Sequence, residues 1–92
     1  MTGLTDKENK ILSTTRQFLE DKNAEKCYIL GGKSDFCVCA EKNEDTWSVF
    51  YYERGSKMKE AEHEDVISVC IDLVTRMNPE YRDSFIQTIN EL

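Results

Sequence analysis

The sequence predicts an α+β fold: an N-terminal helix, a three- to four-stranded antiparallel β-meander, and two C-terminal helices packed on one face of the sheet. Three observations lead there. The chain opens with a helix-capping pattern followed by an apolar stripe at helical spacing. Its middle third switches to short runs of alternating apolar residues separated by glycine or polar turns. From about residue 62 the helical period returns, interrupted once by "NPE". Ninety-two residues make one domain, 1–92, with no room for a second core.

Each element has its own warrant. Thr5 followed by Glu8 is a capping box, in which each side chain satisfies a backbone N–H of the other residue. Leu4, Ile11, Leu12, Thr15, Phe18 and Leu19 share one stripe, predicting a helix over 6–21 that ends at "KNAE". The run "KCYIL" then meets the breaker "GGKS", whose Gly31 and Gly32 read as hairpin turn residues. "DFCVCAE" follows, with Phe36, Val38 and Ala40 alternating against Cys37 and Cys39. After the turn "KNED", the strand "TWSVFYYE" sets Trp47, Val49 and Tyr51 against Ser48, Phe50 and Tyr52. Both of its faces carry large apolar groups. It is therefore a central strand, or one face is covered only when a partner binds. Gly55 breaks it, and a short fourth strand is expected around 57–60.

A helix over 62–77 buries Val66, Ile67, Val69, Cys70, Leu73, Val74 and Met77. Glu62, Glu64 and Asp65 suit its first turn, where the helix dipole is positive. Asn78 as N-cap and Pro79 at the first helical position start a last helix, to about residue 90, which buries Phe85, Ile86 and Ile89.

Charge narrows the function. The net charge is −6, and residues 41–65 alone hold eight acids against four bases, whereas residues 1–26 balance five against five. Such a field repels nucleic acid and anionic membrane and steers a basic partner. The element order α-β-β-β-α is also that of double-stranded RNA-binding domains, which need a lysine-rich start to the helix after the sheet. Here that place reads "KEAEHED", so the RNA reading fails on charge. No apolar run approaches the roughly 20 residues of a membrane span. The start "MTGLTDKENK" has neither the basic flank nor the apolar stretch of a signal peptide, so a cytoplasmic protein is expected. In that compartment Cys27, Cys37, Cys39 and Cys70 read as reduced, buried thiols rather than a disulfide framework.

Nothing in the sequence assembles a catalytic, metal or cofactor site. The one histidine, His63, reads as a surface residue of a first helical turn. Cys70, on the same helical face, would stand about 10.5 Å away, where a nucleophile and its base need roughly 3 Å. A C-x-C inside a strand approaches a metal wrongly for zinc, and "LGGKS" lacks the spacing of a phosphate-binding loop.

Recognition remains. Trp47, Tyr51, Tyr52 and Arg54 are of the types most frequent at interface hot spots. The run "TWSVFYYERGSKMKEAEHEDVISVCIDLV" resembles the central segment of small bacterial immunity proteins of polymorphic-toxin and contact-dependent growth-inhibition systems. There a strand W-x-V-[YF]-[YF]-x-E-R-G leads through a polar stretch into an acid-capped helix. Trp47, Val49, Phe50, Tyr51, Glu53, Arg54 and Gly55 match that pattern, and the similarity covers residues 26–76. The segment from residue 78 to 92 has no counterpart in many relatives.

The resemblance implies a non-enzymatic antitoxin that binds one cognate toxin domain, a basic nuclease in many such systems, and blocks its active site or substrate access. The expected partner-binding residues are Glu44, Asp45, Tyr52, Glu53, Arg54, Glu60, Glu62 and Asp65. Tyr52 and Arg54 serve as anchors and the acids pair with toxin cations. A monomer or weak dimer is expected. The alternative is a regulatory adaptor using the same surface, distinguished by whether a neighbouring gene encodes a large secreted protein with a variable C-terminal domain.

Overall fold

The computed structural model describes residues 5–24 and 26–92. Helix α1 spans Asp6–Asp21, and its capping box is formed: Glu8 N–H donates to Thr5 Oγ1 (3.1 Å) and Thr5 N–H donates to Glu8 Oε1 (3.0 Å). Ile11, Leu12, Thr15, Phe18 and Leu19 are its buried face. Thr15, a polar residue in that face, is satisfied by donating to the Ile11 carbonyl at 2.8 Å. Leu4 and Glu25, expected in the stripe and the terminating segment, lie outside the described residues.

Four strands follow, β1 (Tyr28–Leu30), β2 (Cys37–Asn43), β3 (Thr46–Glu53) and β4 (Ser56–His63), in one open sheet of that order. β2, β3 and β4 are antiparallel neighbours joined by the tight turns Glu44–Asp45 and Arg54–Gly55. The second turn has φ of 49° and 81°, the double positive that matches a hairpin to strand twist.

The expected antiparallel pairing of β1 is corrected: β1 runs parallel to β2, with Tyr28 beside Val38 and Leu30 beside Ala40. A four-residue hairpin at "GGKS" would have put Tyr28 opposite Cys37 and turned Tyr28 and Leu30 away from the helices. The parallel register keeps both against the main core. Parallel neighbours ordinarily need a crossover of about a dozen residues or more. Residues 31–36 suffice here because β1 has only three residues to run back along. A disulfide between Cys27 and Cys37 ties the two strand starts together, with Cα atoms 4.6 Å apart. The expectation of four reduced thiols is thus corrected for this pair; Cys39 and Cys70 are free and buried.

β4 is also longer than the expected 57–60. Ala61 pairs with Val49 and His63 with Trp47, so strand alternation continues through the acids. Helix α2 therefore begins at Val66, not near residue 62. Asp65 is its N-cap, accepting from Ser68 N–H at 2.8 Å, and Glu62 and Glu64 lie outside the helix. After α2 (Val66–Met77), Asn78 Oδ1 accepts from Glu80 N–H at 3.0 Å. Pro79–Tyr81 then make a single 3₁₀ turn ahead of α3 (Arg82–Asn90). Phe85 and Ile89 are buried from α3, while Ile86 is only half-buried.

The helices lie on one sheet face. Val38, Ala40, Trp47 and Val49 meet Leu19, Val69, Leu73, Val74 and Phe85 in one core. The molecule measures 36 × 34 × 17 Å, and its 17 Å dimension has room for one sheet and one helical layer. The opposite sheet face carries a small cluster of Cys37, Cys39 and Phe50, flanked by Ile29 and Tyr52. Residues 31–36 return across part of it, and Cys39 Sγ donates weakly to the Ser34 carbonyl at 3.7 Å. Among the described residues no helix is long and apolar enough to cross a membrane.

Candidate functional site

The sheet face away from the helices is built by alternation. Glu41, Ser48 and Glu62 sit side by side across β2, β3 and β4; Cys37, Tyr52 and Lys57 form a second row. Between them the register shifts, because two β4 residues, Lys59 and Glu60, face the single residue Phe50. Lys57 lies over this bulge. Its Nζ is 4.8 Å from the Phe50 ring centroid, 3.3 Å from Glu41 Oε1 and 3.7 Å from Glu60 Oε2. The hydrogen bond to Glu41, with the charges of Glu41 and Glu60 behind it, pushes the Lys57 pKa up. Tyr52 stands edge-on to Phe50 at 6.1 Å, and Lys33 Nζ lies 5.5 Å from the centroid of its ring.

Of the residues singled out in the sequence, Tyr52, Glu60 and Glu62 share this face. Glu44 and Asp45 form the β2–β3 turn, at the end of the sheet where Trp47 pairs with His63. Glu53 and Arg54 sit at the other end of β3, eight strand residues away, a separation of about 25 Å. The expected set therefore forms a face and two ends rather than one compact patch. Asp65 is committed to capping α2, and its second oxygen accepts from Ser68 Oγ at 3.1 Å.

Sequence reasoning missed Lys57. The register of the β3–β4 hairpin could have found it, since counting outward from the turn sets Lys57 opposite Tyr52.

His63 is also corrected. It is the last residue of β4, half-buried, and its Nε2 lies 2.7 Å from Asp72 Oδ2, while Asp72 Oδ1 accepts from Arg76 Nε at 2.8 Å. A histidine–carboxylate pair can orient an imidazole for catalysis when a nucleophile stands beside it. Among the described residues His63 makes no side-chain hydrogen bond to a hydroxyl or thiol. The chain His63–Asp72–Arg76 thus ties β4 to α2.

The free thiols sit in apolar surroundings. Burial pushes the Cys70 pKa up to about 11 and raises that of Cys39, which keeps both protonated at neutral pH. Among the described residues no three His, Cys, Asp or Glu side chains are placed to hold a metal ion. Comparison with protein families, with curated proteins and with solved structures finds no match for this chain.

Proposed function

We propose that this protein is an immunity protein, which neutralises a toxin domain by binding it rather than by chemistry. The observation that supports this reading most directly is a four-stranded sheet with helices on one face only, whose other face presents Glu41, Glu60 and Glu62 around an aromatic cluster. Tyr52 supplies a flat contact beside Phe50, toward the Arg54 end of that face. The acids match a basic partner in charge, and a nuclease channel that holds phosphates is basic for the same reason. Glu44 and Asp45 extend the negative field from one end, and Arg54 stands as a separate anchor at the other. The free protein is a monomer or weak dimer in this reading.

Its place of action is the cytoplasm, where the toxin would arrive. There the prevailing redox poise keeps thiols reduced, so Cys27 and Cys37 would stand as an adjacent dithiol. A count of reactive thiols in unfolded protein, trapped from its own cells, tests this: four support the cytoplasm, and two place the chain in an oxidising compartment.

The binding test is copurification with a toxin domain encoded beside its gene, paired with rescue of cells expressing that domain. A stable complex and rescue are expected. Changing Glu60→Lys together with Glu62→Lys should weaken the complex by at least about tenfold at low salt, since two attractive contacts become repulsive. Unchanged affinity at low salt would remove the electrostatic basis of the proposal.

A further inference from the structure

The net negative charge of this molecule is not spread over its whole surface. A cavity of about 690 Å³ opens where the sheet meets the end of α2, and three cations, Lys26, Lys59 and Arg76, line it. Among the described residues no carboxylate does so, in a chain whose net charge is −6. Arg76 is half-compensated, because its Nε donates to Asp72 at 2.8 Å. Lys26 and Lys59 have no carboxylate within 4.0 Å among the described residues, so they hold the excess. Phe36, Val38 and Tyr51 supply the apolar part of the lining.

Two of these lining residues are held in a backbone conformation that their side chains disfavour. Phe36 has φ of 62° and Lys59 has φ of 54°, both in the left-handed region. Phe36 is also 54% exposed, although a phenyl ring gains by burial. At Lys59 the cause is the β-bulge opposite Phe50. In an unbroken strand Lys59 would alternate with Met58, which pairs with Tyr51, and would project to the face away from the helices. The bulge instead brings it into the lining with Tyr51. Phe36 precedes Cys37, its own N–H donates to the Tyr52 carbonyl, and Cys27 beside Cys37 also lines the cavity. Strained positions that converge on one cavity point to a purpose for that cavity.

We propose that this cavity binds a small organic anion, a carboxylate or phosphate carried on a flat apolar body. Lys26 and Lys59 receive the anionic group, with Arg76 at its margin. Phe36 and Tyr51 take the apolar body. The site lies on the helix side of the sheet, apart from the acidic face, and stands or falls independently of toxin binding.

Phenyl phosphate, inorganic phosphate and benzyl alcohol, titrated at constant ionic strength into ¹⁵N-labelled protein, test this. Phenyl phosphate should give saturable shifts at the amides of Phe36, Tyr51, Lys59 and Arg76, and should bind at least about tenfold more tightly than either probe carrying only half of its chemistry. Lys59→Gly separates folding from binding. It relieves the positive φ and should raise the urea midpoint, yet weaken phenyl phosphate by about tenfold. Lys10→Glu, on α1, alters the net charge elsewhere and should leave binding unchanged. Phenyl phosphate bound no better than benzyl alcohol, shifts confined to other residues, or full affinity in Lys59→Gly would each overturn the proposal.

Discussion

Arg54 shows how one position can serve binding at the expense of the backbone. It occupies the first place of the β3–β4 turn with φ of 49°, followed by Gly55 at 81°. Turns of this type favour Asn-Gly, because asparagine tolerates the left-handed region and most other side chains do not. Arg54→Asn should therefore stabilise the protein by about 0.5–1 kcal/mol, read as a higher urea midpoint with an unchanged slope. A lower midpoint would mean that the arginine makes folded-state contacts worth more than the strain. If Arg54 is also the anchor proposed above, the same variant will bind its partner less well, a trade-off expected of a residue kept for function. The sequence announced this turn through Gly55. It did not announce the positive φ at Phe36 or Lys59, because neither residue type signals that conformation.

At the level of elements, α1 was legible and the start of α2 was not. The capping box and the stripe from Ile11 to Leu19 admit only a helix, and the structure has one over Asp6–Asp21. The stretch "EAEHED" satisfied two patterns at once: acids suited to a helix N-terminus, and alternation suited to a strand. The pairing of Ala61 with Val49 and of His63 with Trp47 decided for the strand, and that information lies on β3, not in the local sequence. β1 was misread for a related reason, since two glycines after a short strand announce a turn but not where the chain goes next.

The capping box also makes α1 sensitive to pH. The Thr5 backbone N–H, donated to Glu8, holds that carboxyl below its usual range, with Lys42 contributing less. A lowered folded pKa means that the contribution of Glu8 is complete above the ordinary glutamate range and is lost as pH falls through the lowered value. Amide exchange in the first turn of α1 should accelerate on acidification through that window in the parent but not in Glu8→Gln. Equal acceleration in both would assign the effect to another group.

For the molecule as a whole, the two-layer arrangement was readable while the composition of its free face was not. Which acids assemble there depends on hairpin register and on the bulge at Lys59, and both arise only when strands pair. The Cys27–Cys37 bridge was equally hidden, because cysteine spacing does not reveal connectivity. The bridge joins residues ten apart, so reducing it should lower stability by about 2–3 kcal/mol through the freedom restored to the unfolded chain. Urea unfolding with and without a phosphine reductant measures this, and identical midpoints would show that the bridge adds nothing to stability.

Lys57 gives the free face a property that the acid count alone would not suggest. Its ammonium already occupies the space between Glu41 and Glu60, above Phe50. An arriving cation must evict this tenant, so association exchanges one counter-charge for another instead of neutralising bare acids. Selectivity then turns on how well the newcomer's shape suits two carboxylates and a ring. A planar guanidinium can bridge the acids and stack on the aromatic, whereas a second ammonium only repeats what Lys57 does. If the face binds a basic partner as proposed, it would therefore favour arginine-bearing surfaces over lysine-rich ones.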